Sequence, residues 1–463
     1  MYEEIKIISL YLLFMIFSWV IFDKYLSVYF SSNISSIRDS KDININTQNQ
    51  TESLILTEEN LEKEKNELEW LCGFSEAESL FFISNTGALK FRIKLRYDDR
   101  NTLVYIKNLL SRLASRDVGV IVDSKDKHES YFSVDKFNDL YYIIIPIFTK
   151  YYFTTTKYLD FQCFKTAAEI KKASITAIKK RKLSKSELDE ILILKSGMNS
   201  LRRNYDILSL PKRNLTPYRV LGFVEGDGTF YISNLIPQFS IKQHSKNVHF
   251  LHEIAEFLNN LPYNPTIGPL NDILNTKPVP GVYISEDSSS LNVSNILQLY
   301  NYILPFFKTL EFKSRKVVDF EYWEVAVKLK SLGYTTLPQG KKLLVDISKY
   351  INKRYSTKLN LAKAPKDINK IFDLPPVYDL AAGLSYKAYS DIIKVSKGGQ
   401  SGYGVNVYDE GKLVEGSPFS SYTQAALALG NINISSVITK KINTGKVYKN
   451  RYTFESYYPE IIN

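Results

Sequence analysis

Two nine-residue stretches of the chain end in pairs of carboxylates. The first is Leu71-Cys-Gly-Phe-Ser-Glu-Ala-Glu-Ser79 and the second is Val220-Leu-Gly-Phe-Val-Glu-Gly-Asp-Gly228. Carboxylate oxygens suit hard cations such as Mg²⁺, which also bind phosphate oxygens. If the two stretches meet, their acids can share a metal site that activates water and stabilises the leaving oxygen of a phosphodiester displacement.

Small residues recur four positions apart in each stretch, a spacing that lets two helix backbones approach closely. These pairs are Gly73 with Ala77, and Gly222 with Gly226. The candidate acids at the helix ends are Glu76, Glu78, Glu225 and Asp227. A helical wheel places Glu76 and Glu225 nearer the small-residue face. The alternative to metal binding is that these carboxylates only accept backbone hydrogen bonds or pair with surface lysines.

A second pair of segments indicates an internal duplication. Pro146 to Phe161 (PIFTKYYFTTTKYLDF) and Pro305 to Phe320 (PFFKTLEFKSRKVVDF) place Pro, Phe, Lys and Asp-Phe at identical offsets. Two matched pairs in the same order predict duplicated halves related by a pseudo-two-fold axis.

The stretches between these landmarks predict the order helix, hairpin, helix, hairpin, helix in each half. Each half contains an alternating strand-like run, KFRIKLR in the first and QFSIKQH in the second. Alternate side chains of a strand lie on one face, and strand ribbons fit the DNA major groove, where Arg and Lys read guanine. The candidate DNA-binding side chains are Arg92, Lys94, Arg96, Ser240, Lys242 and His244.

The motifs LCGFSEAES and VLGFVEGDG resemble the LAGLIDADG signature of homing endonucleases, and the later TTTK and KSRK segments resemble that family's last helix. The resemblance spans about residues 65 to 330. It implies an α+β fold of two pseudo-symmetric αββαββα halves with antiparallel DNA-binding sheets.

The resemblance selects the eighth residue of each motif, Glu78 and Asp227, as the metal-binding acids. It implies Mg²⁺ as the cofactor, with Mn²⁺ as a possible substitute. It also implies that Lys157 and Lys316 stabilise the pentavalent phosphate and that Gln243 positions the attacking water.

The first motif departs from the family pattern. Glu78 and Ser79 replace the usual Asp-Gly ending, and Leu95 is the repeat counterpart of Gln243. A glutamate keeps the charge but adds one methylene, so we expect changed metal geometry and reduced or strand-biased cleavage.

Charge and composition narrow the class of protein. The chain has 463 residues and a formal net charge of +11, which favours a polyanionic partner such as nucleic acid. Its two cysteines, Cys72 and Cys163, support neither a disulfide framework nor a cysteine-based zinc site. Four histidines are too few and scattered for a histidine-based nuclease; His249 and His252 share a helix face, where we expect satisfied helix residues.

The chain divides into six predicted segments. The segment from Ile7 to Phe22 carries no charge and is just short of a membrane span; a membrane anchor, a processed targeting piece and a remnant of an upstream reading frame all fit. The boundaries are 1–60 for this segment and a tether, 61–175 for the first half, 176–210 for a basic linker, 211–330 for the second half, 331–376 for a helical extension and 377–463 for a C-terminal module. The linker either follows a phosphate backbone or is a solvated helix.

The C-terminal module shows a helix-turn-helix pattern. Ser421 is placed to cap a helix that Gly430 ends, and a second helix up to Ile442 carries Lys440 and Lys441 before a strand. The pattern resembles nuclease-associated modular DNA-binding domains, with a protein-interaction role as the alternative.

These features favour an intron-encoded, site-specific, double-strand DNA endonuclease that acts as a monomer, because one chain holds both motifs. The resemblance and the Ile, Asn, Lys and Tyr-rich composition predict a mitochondrial location. The main alternative is an RNA maturase that assists its host group I intron. Two further hypotheses remain. One is a degenerate reading frame whose product binds DNA without activity, and the other is a membrane protein.

Overall fold

The computed structural model describes residues 47–177, 183–203, 205, 207–262, 280–352, 364–375, 405–419 and 421–457. The uncharged segment from Ile7 to Phe22 lies outside these residues. Among the described helices, none is long and apolar enough to cross a membrane. The chain divides into two units, Met1–Glu64 and Lys65–Asn463, and both motifs lie in the second.

The first half follows the predicted order of elements. It consists of α1 (Thr47–Glu78), β1 (Ser79–Ile83), β2 (Leu89–Arg96), α2 (Arg100–Leu113), β3 (Val120–Ser124), β4 (Glu129–Val134), α3 (Phe137–Asp139, a π-helical turn at Leu140–Ile144, then Ile145–Lys150) and α4 (Lys157–Ala177). A further helix, α5 (Lys185–Ser196), follows it and begins with a capping box between Ser184 and Glu187.

The second half repeats these elements. It consists of α6 (Pro217–Asp227), β5 (Gly228–Ser233), β6 (Ile236–His244), α7 (Val248–Asn259), β7 (Gly281–Ile284), β8 (Ser288–Val293), α8 (Ile296–Gln298, a π-helical turn at Leu299–Ile303, then Leu304–Lys308), α9 (Lys316–Ser331) and α10 (Pro338–Tyr350). The start of α6 is set locally, because the Thr216 hydroxyl accepts a hydrogen bond from the Arg219 N–H and Pro217 occupies the first turn.

Each half contains one four-stranded antiparallel sheet, ordered β1-β2-β4-β3 in the first and β5-β6-β8-β7 in the second. One face of each sheet is buried by aromatic side chains that come from equivalent positions. The ring centroids of Phe81 and Phe91 are 5.4 Å apart, and those of Phe230 and Phe239 are also 5.4 Å apart. The duplication predicted from the sequence is therefore present in the packing of the cores.

Two element predictions need correction. Helix α1 begins at Thr47, inside the predicted tether, and it includes the run TEENLEKEKNEL, which is rich in strong helix formers. Strand β8, SSSLNV, was missed because serine and asparagine are poor strand formers.

Helices α5 and α10, predicted as part of a linker and of an extension, occupy equivalent places. After each helix comes an asparagine with positive φ, Asn199 at 52° and Asn352 at 59°. The backbone N–H of Asn199 donates to the Asp160 carboxylate at 3.0 Å, and the side-chain amide of Asn199 donates to the Phe81 carbonyl oxygen at 2.9 Å. Asn352 makes the same two bonds in the second half: its N–H donates to Asp319 at 3.1 Å, and its side-chain amide donates to the Phe230 carbonyl oxygen at 2.5 Å. We therefore propose that the repeated unit extends through these asparagines.

The C-terminal module has the predicted elements. Its strands are β9 (Val405–Asp409), β10 (Lys412–Leu413) and β11 (Tyr452–Ser456), in the order β10-β9-β11, and its helices are α11 (Tyr422–Ala428) and α12 (Ser435–Lys441). The Ser421 hydroxyl caps α11 by accepting from the Gln424 N–H. Gly430, at φ +75°, follows the helix in the left-handed conformation that glycine adopts readily.

Candidate active site and nucleic-acid interface

The two motif helices, α1 and α6, cross at their glycines. A Cβ atom added to Gly73 would lie 2.0 Å from the Arg219 carbonyl oxygen, and one added to Gly222 would lie 2.1 Å from the Trp70 carbonyl oxygen. One turn later, a Cβ at Gly226 would lie 2.3 Å from the Ala77 Cβ. The four predicted interface residues lie at this helix crossing, and at Gly73 and Gly222 only a residue without a side chain permits the backbone approach.

The sixth motif residues, Glu76 and Glu225, are buried and hold the backbone before the last helix of their own half. The Glu76 carboxylate accepts hydrogen bonds from the Thr154 and Thr155 N–H groups, both at 2.6 Å. Glu225 accepts equivalent bonds from the N–H groups of Lys313 and Ser314, at 2.9 and 2.6 Å. For these two acids the structural alternative is the correct one.

The same two acids also tie the halves together. The residue before each motif reaches across the helix crossing to the opposite glutamate: the Arg219 guanidinium donates to Glu76 at 2.8 Å, and the Trp70 indole N–H donates to Glu225 at 2.5 Å. Arg219 and Trp70 are among the largest fully buried side chains. Neither was identified from the sequence, although their equivalent positions before the motifs were available as a signal.

The eighth motif residues, Glu78 and Asp227, lie together at the ends of the crossing helices. A Cβ added to Gly226 would be 3.3 Å from the Glu78 Cγ. Burial and the nearby Asp227 carboxylate raise the pKa of Glu78, and burial raises the pKa of Asp227. Within the described part of the chain, no side chain or backbone group donates a hydrogen bond to Glu78.

Lys157 and Lys316 close the ends of the motif helices beside these acids. The Lys157 ammonium donates to the Ser75 and Ser79 carbonyl oxygens at 2.9 and 2.5 Å. The Lys316 ammonium donates to carbonyl oxygens at the equivalent helix end, those of Val224 (2.9 Å), Gly226 (3.2 Å) and Gly228 (2.5 Å). Burial lowers the pKa of both lysines to about 8, against the opposing effect of Asp227 and its neighbours.

Gln243 contacts only the second acid. Its side-chain amide donates to the Asp227 carboxylate and accepts from the Asn247 amide at 3.1 Å. The strand register confirms that Leu95 is its counterpart, because Ser79 pairs with Ile93 where Gly228 pairs with Ile241. The first half therefore lacks a polar group at this position.

Ser79 replaces the last motif glycine without opening the helix end. Its hydroxyl donates to the Ser75 carbonyl oxygen at 2.6 Å, which satisfies a carbonyl of the last turn. The equivalent Gly228 has φ −78°, an ordinary value for any residue. The departure at Ser79 therefore does not by itself distort the backbone.

A model of the LAGLIDADG endonuclease domain matches the chain twice, at residues 71–168 and 220–327. Residues 71–168 and 220–327 are therefore two LAGLIDADG endonuclease domains. The matched ranges begin at the two motifs and together contain the acids and lysines described above.

Relatives of this LAGLIDADG chain support the same assignment. It is 27% identical to the uncharacterized mitochondrial protein RF1 of Saccharomyces cerevisiae over 442 residues, which cover 87% of this chain and 85% of that protein. It is 25% identical to the probable intron-encoded endonuclease 2 of Neurospora crassa, over 58% of this chain and 61% of that protein. The Saccharomyces cerevisiae relative is named as a mitochondrial protein, which agrees with the location predicted from the sequence.

Among solved structures, the meganuclease I-SmaMI bound to an uncleavable DNA is similar, with a TM-score of 0.50 and 20% identity, over 62% of this chain and 99% of that one. The likeness confirms the predicted α+β fold with two antiparallel-sheet halves.

The exposed sheet faces of the LAGLIDADG domains contain the predicted DNA-binding residues. Burial alternates along β2 and β6, so that one set of side chains packs in the core and the other faces solvent. The solvent-facing or half-buried set contains all six candidates, Arg92, Lys94, Arg96, Ser240, Lys242 and His244. Their placement on one face of each sheet agrees with the prediction.

The two predicted DNA-binding lysines of the C-terminal module have different surroundings. In the C-terminal module, Lys440 is exposed on α12, whereas the Lys441 ammonium donates to the Val447 carbonyl oxygen at 2.8 Å. The Nε2 of His249 bonds the Thr154 carbonyl oxygen at 2.9 Å, whereas its buried Nδ1 has no hydrogen-bond partner among the described residues, so the expected satisfied helix histidine is only half satisfied. No group of three or more potential His, Cys, Asp or Glu metal ligands occurs in the ranges that the structure describes.

Proposed function

We propose that this protein is an intron-encoded, site-specific endonuclease that makes a metal-dependent double-strand break in DNA. The observation that carries the proposal is the meeting of Glu78 and Asp227, one from each motif helix, beside two buried lysines. The two LAGLIDADG endonuclease domains and the names of the intron-encoded relatives support this activity.

The two acids suit a divalent cation, and we propose Mg²⁺, with Mn²⁺ as a substitute. Glu78 has free acceptor oxygens within the described structure, and Asp227 accepts a single hydrogen bond, from Gln243. Both carboxylates are half-buried and repel each other, so a cation between them removes an unfavourable interaction. Oxygen ligands alone, without histidine or cysteine, favour a hard cation over zinc.

The residues around the acids have distinct proposed tasks. A bound divalent cation would supply an activated water and a counter-charge for the leaving 3′-oxygen. Gln243 orients the Asp227 carboxylate and the water near it. Lys157 and Lys316 hold the helix ends and place two positive charges beside the scissile phosphates. One half would serve each strand of the duplex.

The sheets supply the duplex-binding surface in this proposal. Basic and polar side chains on one face of each four-stranded sheet contact phosphates and base edges in the major groove. The C-terminal module, with Lys440 exposed on α12, extends contact with the duplex.

The test is cleavage of the joined, intronless host-gene sequence by purified full-length protein with Mg²⁺. We expect double-strand cutting by the wild type and its loss in Glu78→Gln and in Asp227→Asn, with duplex affinity retained. Glu415→Gln, an exposed acid of the C-terminal module, is the control and should cut normally.

Other outcomes would contradict specific parts of the proposal. Nicking by the wild type would show that the first half, with Glu78 and Ser79, does not cut its strand. Absence of cutting together with tight binding to the host intron RNA would favour the maturase. Cutting by both acid variants would remove Glu78 and Asp227 from the mechanism.

A further inference from the structure

The exposed face of the first sheet contains four cations on one strand. Lys90, Arg92, Lys94 and Arg96 all point to this face, because the intervening Phe91 and Ile93 are buried. Strand pairing places Leu80 beside Arg92 on one side and Ser133 on the other.

Three of these four cations are paired with carboxylates of the same half. The Lys90 ammonium lies 2.8 Å from Asp135. The other two pairs are Lys94 with Glu129 at 3.0 Å and Arg96 with Asp98 at 3.4 Å. When DNA approaches, each of these cations exchanges a carboxylate for a phosphate, so the net electrostatic gain is small. The released carboxylate would also be repelled by the phosphates.

Arg92 is the exception on this strand. Its guanidinium carbon lies 4.6 Å from the centroid of the Tyr131 ring. Within the described residues no carboxylate lies within 4 Å of its guanidinium, although its charge acts on the Asp135 carboxylate that Lys90 binds. The buried Nε of Arg92 has no hydrogen-bond partner there. Stacking on an aromatic ring fixes the plane of a guanidinium while leaving its edge free.

We infer that Arg92 is the residue of the first sheet that reads a guanine, and that Tyr131 is its positioning residue. The two terminal amino groups of a guanidinium held over a ring can donate two parallel hydrogen bonds to the O6 and N7 atoms of guanine in the major groove. Leu80 is exposed on the neighbouring strand directly opposite Arg92. This inference rests on the proposed binding of double-stranded DNA.

The second half cannot make the same contact at the equivalent position. The strand register places Ser240 where the first half has Arg92, between Thr229 and Asn292. These three polar uncharged side chains cannot form a bidentate arginine–guanine contact. We therefore expect no guanine requirement at the equivalent position of the other half-site.

The experiment uses full-length protein and a random-sequence duplex library. Selected duplexes give the preferred site, and fluorescence anisotropy then gives the Kd for all four base pairs at each position. We expect one guanine in one half-site at which other bases weaken binding about tenfold or more. Arg92→Lys keeps the charge but loses the planar fork, and should abolish that preference while leaving the others.

Matched variants separate reading from charge and from packing. Lys94→Met leaves the Glu129 carboxylate unpaired beside the phosphates, so it should weaken binding to all duplexes alike and leave the base preference unchanged. Tyr131→Leu should reduce the guanine preference, whereas Tyr131→Phe, which keeps the ring, should retain it. Unfolding curves of all four variants check the fold.

The outcomes distinguish this inference from the proposed function. If the wild type selects duplexes and Arg92→Lys keeps the same base preference, the role of Arg92 is wrong and the DNA-binding proposal stands. If the wild type selects no duplex at all, both the proposed function and the role of Arg92 are wrong.

Discussion

At the scale of single residues, the two acids of each motif have different surroundings. The helical wheel was right that Glu76 and Glu225 face the helix crossing, and for that reason backbone donors and cross-helix partners surround them. Glu78 and Asp227, which the wheel ranks lower, lie past the crossing, where the helices end and solvent reaches the carboxylates. Free oxygens, rather than position on the wheel, make an acid available to a cation.

Gln243 gives a prediction at this scale. Gln243→Leu, which copies the first-half residue Leu95, removes the hydrogen bond to Asp227. Loss of a hydrogen bond to a metal-binding carboxylate commonly lowers activity or metal affinity about 10- to 100-fold. We therefore expect slower double-strand cleavage and a higher Mg²⁺ concentration at half-maximal rate, measured under single-turnover conditions with the plasmid target.

Gln238→Leu is the matched control for this change, because Gln238 lies on the same strand but accepts from the Tyr231 hydroxyl at 2.7 Å. Its half-maximal Mg²⁺ concentration should equal that of the wild type. An unchanged Mg²⁺ dependence in Gln243→Leu would show that this amide does not tune Asp227.

At the scale of elements, the crossing of α1 and α6 depends on the absence of side chains at two positions. Gly222→Ala places a Cβ 2.1 Å from the Trp70 carbonyl oxygen, where backbone must move. We expect the free energy of unfolding to fall by about 3 kcal/mol, as for other overpacked sites. Urea unfolding measures the change.

Gly197→Ala is the control for that prediction, since its nearest contact would be 3.5 Å, to the Leu194 carbonyl oxygen. It should change stability by less than about 0.5 kcal/mol. Equal stability of the two variants would mean that the helices separate without cost and that the crossing is loose.

The asparagines after α5 and α10 give a second prediction for elements. Asn352→Ala removes the amide bond to the Phe230 carbonyl and leaves a Cβ at φ +59°, whereas Asn352→Gly removes only the bond. We expect losses of about 2 kcal/mol and about 1 kcal/mol in the free energy of unfolding. Identical losses, measured by urea unfolding, would show that the left-handed backbone adds no strain.

At the scale of the whole molecule, the two halves share a plan but are joined by unlike contacts. Arg219 forms a buried ion pair with Glu76, whereas the equivalent Trp70 donates a neutral N–H to Glu225. The first half also has Leu95 where the second has Gln243. One chain can accumulate such differences because each half is selected separately, which a symmetric dimer of identical chains does not allow.

The unlike contacts predict unequal costs. Arg219→Met leaves the Glu76 carboxylate buried without its cation, and we expect the free energy of unfolding to fall by about 3–5 kcal/mol. Trp70→Phe keeps the ring and leaves Glu225 with its backbone donors, so about 1 kcal/mol is expected. Glu76→Gln added to Arg219→Met should restore part of the loss in urea unfolding. No recovery would mean that Arg219 acts through packing alone.

Several features of this protein follow from its sequence because they depend on local patterns. The duplication, the motif helices and the strand alternation are visible as repeated letters with helical or strand periods. The small-residue spacing identified the crossing of α1 and α6, since only glycine and alanine permit it. The resemblance to the LAGLIDADG signature then selected Glu78 and Asp227 as metal-binding acids.

Other features depend on partners far apart in the chain, and only the tertiary structure decided them. Arg219 meets Glu76 from 143 positions away, and Asn352 meets Phe230 from 122 positions away. The free guanidinium of Arg92 is visible only once its neighbours are seen paired with their own carboxylates. A sequence shows which side chains carry charge, whereas burial and distance determine which charges are already neutralised and which remain available to a ligand.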